Sequence, residues 1–241
     1  MPNDVTIEMM AEEFLVWRCL HGGPLTRKSI EECPRNSDLP WAEFRARNVP
    51  LLTKLTRTYG ACAVLARDGE AVVGTLRFYP KALWPTPRLD CFGMCLQQPC
   101  PNGPPDDLAS AHFPPIEQLA DKTLFVHCLM LAADAPGRPS YRRRGFGRRM
   151  AERLMEWAGQ GGWAAIEATG YEDLDIVYSV TGVAGKTFWE RLGFRVAEVG
   201  VEPGFEQYPD ILKVLIEQGR AVGLSADAAK TKYTMRLDLA G

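Results

Sequence analysis

Long apolar runs are missing from this sequence of 241 residues. None approaches the roughly 18 residues that would span a bilayer, which argues against a membrane helix. An excess of charge of one sign is missing as well: 28 Lys and Arg stand against 30 Asp and Glu, a net charge of -2. That balance excludes a wholesale electrostatic binder of nucleic acid or membrane, though not a local basic patch. The start of the chain lacks the layout of a signal peptide, since Met1-Pro2-Asn3-Asp4 is polar and Glu8, Glu12 and Glu13 soon follow. No internal repeat is found. The seven cysteines are odd in number and scattered, and without an export signal they read as reduced thiols. What is there is ordinary for a folded domain: 46% hydrophobic and 24% charged residues. The expectation is a compact, soluble, cytoplasmic chain with a core large enough to need neither disulfides nor metals.

Along the chain, the first sixty residues read as helical. Met9, Met10, Phe14, Trp17 and Leu20 recur near helical spacing until Gly22-Gly23-Pro24. A second helix is expected to start at Asn48 as N-cap with Pro50 in its first turn, and to end at Gly60. The period then changes. Ala61 to Ala66 and Ala71 to Tyr79, joined by Asp68-Gly69, predict an antiparallel hairpin. From Pro80 to Pro115 lie nine of the eighteen prolines, which predicts an ordered loop or lid inserted between two strands. Leu124 to Leu131 reads as a mostly buried strand. A helix follows with Phe146, Met150, Leu154 and Trp157 on one face, and then a strand over Trp163 to Thr169. Ala184, Phe188 and Leu192 mark a helix ending at Gly193, before a strand over Phe194 to Val199. A helix over Tyr208 to Val222 and a strand over Thr231 to Leu239 read as a C-terminal extension. The fold class is α/β with a mixed sheet.

The most informative segment is Arg142-Arg143-Arg144-Gly145-Phe146-Gly147-Arg148-Arg149, in which five of eight residues are arginine. It joins a buried strand to an amphipathic helix. A helix N-terminus already carries about half a positive charge, and each added cation there costs on the order of 0.3–1 kcal/mol. Arginines gathered at that end are unfavourable unless an anion occupies it. Glycines let backbone amides approach such an anion, and a diphosphate is the natural guest. The plainer alternative is a solvated basic helix start, with Arg148 and Glu152 as an i,i+4 pair.

At this point the sequence resembles a family. Arg142-x-x-Gly145-x-Gly147 is similar to the Arg/Gln-x-x-Gly-x-Gly/Ala signature of the GNAT superfamily of N-acetyltransferases. Leu124 to Leu131 stands where that family has its fourth strand, Trp163 to Thr169 where it has its fifth. Phe188-Trp189-Glu190-Arg191-Leu192-Gly193-Phe194 resembles its helix-to-strand segment ending in Leu-Gly-Phe. The resemblance spans about residues 50 to 200. It implies a single GNAT-like domain over residues 1–241, a mostly antiparallel twisted sheet flanked by helices, and acetyl-CoA as co-substrate. It further implies that amides from Arg143 to Arg148, beside Arg142, hold the diphosphate, and that Leu129, Met130 and Leu131 pair with the pantetheine arm like an added strand. A neutral primary amine, of a small molecule or a peptide, then attacks the thioester directly, with a backbone amide steadying the oxyanion. Two family positions differ here: Gly182 stands where an Asn is usual, and Trp189 where a Tyr serves as proposed acid for the thiolate. An indole N–H is a donor but no usable acid.

Three side chains are candidates for moving protons. His127, within the buried strand, is a base suited to neutral pH or a core histidine with one hydrogen bond. Glu167 is the lone carboxylate of an apolar strand; buried, it would have a raised pKa and could take the amine proton, or else it faces outward. Tyr178 could replace the missing tyrosine or simply pack. Cys91, Cys95 and Cys100 match no standard zinc spacing, and a fourth ligand would have to come from Cys33, His112 or another distant group; no metal is expected. Cys128 reads as a small buried hydrophobe. The competing function is a non-catalytic acyl-CoA-binding module. No nucleic-acid or membrane partner is expected, and a homodimer stays open.

Overall fold

The computed structural model describes residues 5–20, 23–32, 41–83, 112–132, 140–180 and 182–239. Eight strands form one mixed sheet: β1 (Thr6–Met9), β2 (Ala63–Asp68), β3 (Ala71–Pro80), β4 (Thr123–Leu131), β5 (Ala165–Tyr171), β6 (Ala184–Gly185), β7 (Arg195–Val201) and β8 (Thr231–Asp238). Their order is β1-β2-β3-β4-β5-β8-β7, with β6 beside β5. The β4–β5 and β5–β6 pairs are parallel and the others antiparallel. The mixed, mostly antiparallel architecture expected from the sequence is therefore present. The helices are α1 (Arg27–Glu31), α2 (Trp41–Tyr59), α3 (Phe146–Gln160), α4 (Asp175–Val180), α5 (Lys186–Glu190), α6 (Pro209–Ala221) and α7 (Ala226–Ala229). None in the described residues is long and apolar enough to cross a membrane.

The expected hairpin forms β2 and β3 around Asp68-Gly69, and its turn glycine has φ 59°. Along β3 nearly every residue is buried, because elements cover both faces of the sheet there. Helix α3 lays Phe146, Met150, Ala151, Leu154 and Ala158 on one face. A smaller cluster of Tyr171, Leu174, Val177, Phe205, Leu215 and Ala229 gathers under α4, α6 and α7.

The structure corrects the sequence reading in four places. Residues 6–9 are not helical but pair with β2 as an edge strand, followed by a single 3-10 turn at Glu12–Phe14. Met10, Val16, Trp17 and Leu20 are all buried nonetheless, so the helix-like spacing reports burial of an irregular segment. Helix α2 begins at Trp41, and Pro50 lies inside it. Edge contacts of Trp41 with Trp17 and Phe44 hold the added turns, while Asn48 is fully buried and donates from Nδ2 to Trp17 O at 3.3 Å. The helix expected to carry Ala184 is shorter: Ala184 lies in β6, and Tyr178 belongs to α4. Lastly, β8 is no appendage. It pairs with β5 over seven registers and separates β5 from β7, so α6 and α7 are inserted between two strands of the sheet. Most of the proline-rich segment, including Cys91, Cys95 and Cys100, lies outside the described residues, as does Cys33.

Candidate active site

The two parallel strands at the middle of the sheet part company. Pairing of β4 with β5 runs from Thr123 opposite Ala165 to Val126 opposite Ala168 and stops there. The cause is visible on the other side of β4, where Phe78 faces Val126 but Arg77 faces Cys128, leaving His127 as an extra residue. A bulge of this kind bends the strand that carries it. Beyond it, Leu129, Met130 and Leu131 stay paired with Leu76, Thr75 and Gly74 of β3, while the edge toward β5 is given up. On that edge the Leu129 N–H donates to Gly182 O at 2.6 Å. Ala132 N–H donates to Val73 O on the β3 side, so strand alternation turns the Leu131 amide toward the abandoned edge.

The arginine-rich turn meets this edge. Arg143 (φ 57°) and Gly145 (φ 80°) are both left-handed, a conformation that costs a non-glycine residue about 1 kcal/mol or more. Arg149 N–H donates to Gly145 O, which makes Gly145 the N-cap and leaves the amides of Phe146, Gly147 and Arg148 ahead of the helix ladder. The first turn holds no acid. A Cβ built on Gly147 would stand 3.7–3.9 Å from Phe188 and Leu129, so the helix start, the end of β4 and α5 are in contact. The arginines divide. Arg148 donates to Glu152 at 2.7 Å, the i,i+4 pair, and Arg149 to Val5 O at 3.0 Å. Arg144 lies over the Phe146 ring, and Arg143 meets Asp175 only loosely at 3.7 Å, both side chains being exposed. Arg142, Arg143 and Arg144 thus remain available to solvent at the mouth of the turn.

The proton-moving candidates fare differently. Glu167 is buried but not alone: Lys81 Nζ lies 2.6 Å from one carboxylate oxygen and Arg236 Nη1 2.8 Å from the other. It belongs to a row running across the sheet, Tyr79–Phe125–Glu167–Arg236, one register short of the divergence. His127 lies beside Tyr79, whose hydroxyl is 3.4 Å from Nδ1. Burial, and the charge of Arg77, push its imidazole down to about 3. An imidazole that weak favours the second of the two readings, a core histidine with one hydrogen bond, over a base for neutral pH. Tyr178 donates its hydroxyl to Asp173 Oδ1 at 2.6 Å, and Asp173 Oδ2 accepts from Thr187 N–H at the start of α5. Burial and the Asp173 carboxylate push that phenol above the usual range, the wrong direction for an acid. Trp189 is a core residue, donating from Nε1 to Thr169 O at 3.2 Å.

Among the described residues no group of three His, Cys, Asp or Glu side chains is placed to hold a metal. Cys62 and Cys128 are buried, and neither is in a disulfide. Sequence reasoning missed Arg77, Lys81 and Arg236, and the carbonyl of Gly182. Arg77 carried a signal, a single cation inside the apolar run of β3. The carbonyl carried none, since any residue has one.

No protein-family model matches the chain, and no curated protein matches it in sequence. Solved structures similar to it include Ard1 from Thermoplasma volcanium, at 10% identity over 98% of this chain and 99% of that one, with a TM-score of 0.46. The ribosomal-protein-S18-alanine N-acetyltransferase from Escherichia coli is similar at 11% identity over 98% and 95%, TM-score 0.45. An N-acetyltransferase from Staphylococcus aureus Mu50 is similar at 13% identity over 99% and 100%, TM-score 0.43.

Proposed function

We propose that the protein is an acetyl-CoA-dependent N-acetyltransferase of the GNAT type, moving an acetyl group to a primary amine by direct transfer. One observation carries the reading: the edge of β4 that β5 has left runs into an amide-lined, arginine-flanked helix start, with Gly147 touching Leu129. A strand edge suits an extended amide-bearing chain, and a helix N-terminus suits its diphosphate. Acetyl-CoA supplies a thioester already activated toward amines. Amides from Arg143 to Arg148 hold the diphosphate, with Arg142 and Arg144 at the mouth. Leu129, Met130 and Leu131 line the pantetheine arm.

The Leu129 N–H is the donor set to steady negative charge on an acyl oxygen, and to do so it exchanges Gly182 O for that oxygen. With His127 and Tyr178 unsuited to proton transfer, the acceptor is taken as the free amine. Glu167 stands between two cations, of which Lys81 is the more exposed at 43% against 35%. A cytoplasmic setting and a small-molecule or peptide acceptor belong to the same proposal.

Acetyl-CoA should raise the melting temperature by mass action. Gly147→Ala, whose added methyl meets only ordinary contacts, should keep the shift, and Gly147→Asp should lose it. Equal melting of the wild type with and without saturating acetyl-CoA removes the cofactor assignment. Thiol release with a panel of amines tests turnover. Binding without release across the panel would favour the second reading, a non-catalytic acyl-CoA-binding module, which the want of a poised acid or base supports.

A further inference from the structure

Glu167, Lys81 and Arg236 make an unequal cluster, two cations on one carboxylate. Lys81 Nζ holds one oxygen at 2.6 Å and Arg236 Nη1 the other at 2.8 Å. The carboxylate is buried, whereas both cations are partly exposed. Arg236 Nε also meets Asp238 at 2.8 Å, but that carboxylate is 77% exposed and water screens it. Among the described residues, Glu167 is the one hydrogen-bond acceptor of Lys81 Nζ, and Arg236 Nη2 has none. The cluster therefore turns toward solvent a positive charge in excess, with N–H groups still to donate. One carboxylate already bridges the two cations from the buried side, so their spacing suits a second carboxylate arriving from solvent.

The cluster lies on the face of the sheet opposite α3. A Cβ on Gly74 would press on Leu131 and on Met150 of α3, and the Phe78 ring packs on Trp157 of α3. By strand alternation Tyr79 faces the other way, with Phe125, Glu167 and Arg236 in register beside it. The start of α3 and the Leu129 side chain meet on the α3 side, which gives that side to the diphosphate. An acceptor then reaches the thioester from the opposite face, where the cluster is. The row of Glu167 is three β3 residues from the Leu129 amide, because Phe125 pairs with Tyr79 and Leu129 with Leu76. Three residues of strand span about 10 Å. Less one contact of about 3 Å, roughly 7 Å is left between the attacking amine and an acid group on the cations, about six bonds of extended chain.

We propose that Lys81 and Arg236, braced by Glu167, bind the carboxylate of the acceptor. The substrate class is then a small amino carboxylate whose primary amine stands about six bonds from its acid group. This rests on the acetyltransferase reading above and narrows it.

The test is thiol release from saturating acetyl-CoA with ε-aminocaproate, with its neutral amide, and with the shorter β-alanine. The acid should exceed the amide in kcat/KM by about 10–100-fold, mostly through KM, and β-alanine should do no better than the amide. Lys81→Met should raise KM for the acid and leave that for the amide, whereas Lys81→Arg should keep the preference. The melting shift with acetyl-CoA should be the same in wild type and both variants. Equal use of acid and amide by the wild type would overturn the proposal, as would a preference that survives intact in Lys81→Met. If no amine releases thiol, the acetyltransferase reading fails instead, and calorimetry on the wild type decides the site alone. Binding of ε-aminocaproate but not of its amide keeps the carboxylate site, and binding of neither removes it.

Discussion

A carboxylate between two cations and an imidazole beside a third set the terms at the scale of single residues. Glu167→Gln leaves Lys81 and Arg236 facing a neutral amide at a site where the carboxylate side chain is only 6% exposed. Removing one partner of a buried ion pair typically costs about 3–5 kcal/mol. With both cations partly exposed, a loss of about 2–3 kcal/mol in urea unfolding is expected. If Glu167 also takes the amine proton, the variant's rate deficit should shrink at high pH, where the amine is already free. A deficit constant with pH leaves Glu167 a positioning residue. For His127, the folded imidazole lies at about 3 against an ordinary 6.5. Between those values the unfolded chain binds a proton that the folded chain refuses. Stability is therefore fully present above pH 6.5 and falls as pH drops, by about 1.4 kcal/mol per unit for one proton. His127→Gln should flatten that slope between pH 6.5 and 5, before most carboxylates titrate. An unchanged slope there would show that the ring is free to protonate in the fold.

Elements were legible in the sequence where periodicity and punctuation agreed. Asp68-Gly69 between two apolar runs gave the hairpin, and the glycines and arginines of residues 142–149 marked the turn before α3 in the right place. They were illegible where tertiary contacts decide. Pro50 looks like a helix start because its missing N–H suits a first turn, yet the Trp17–Trp41–Phe44 cluster recruits residues 41–49 and carries the proline inside. The site shows the same split. The anion-ready turn could be read from residue types. The cations around Glu167 could not, because they arrive from positions 81 and 236, far apart in sequence and joined only by the sheet. The loop at Gly182 offers a test at this scale. Its φ of 62° suits glycine, and a Cβ there would come within 3.1 Å of Cys128 Sγ and 3.2 Å of Met130 Cε. Gly182→Ala should cost about 1–2 kcal/mol of stability. It should also loosen the carbonyl that holds the Leu129 amide. Acetyl-CoA should then bind more tightly by calorimetry, despite the weaker fold. An affinity that drops along with stability would show that the carbonyl does not compete for that amide.

At the scale of the whole molecule, the position of β8 has a kinetic consequence. The β5–β8 ladder joins residues 165–171 to residues 232–238, with β7, α6 and α7 lying between them in sequence. Among the described strands β7 pairs with β8 alone, so it cannot dock on a local nucleus. Closing a loop of that length must precede the contacts that reward it, which makes such pairings slow. The α6–α7 pair is local by comparison and can form at any stage, although its apolar cluster is completed only by Tyr171, Leu174 and Val177. Met235, fully buried in β8 opposite Ala168 and Val196, and Leu215, fully buried in α6, therefore report on different moments. Truncating either to Ala should cost about 2–5 kcal/mol. Met235→Ala should appear mainly as slower refolding and Leu215→Ala mainly as faster unfolding, read from the two arms of a denaturant chevron. The reverse pattern would mean that the helices nucleate the fold and the sheet closes afterwards. A chain built this way passes through a state in which the edge of β5 is bare and β7 has no neighbour, and two such chains can complete each other before either completes itself. Refolding yield should therefore fall as protein concentration rises, even where the native protein is stable.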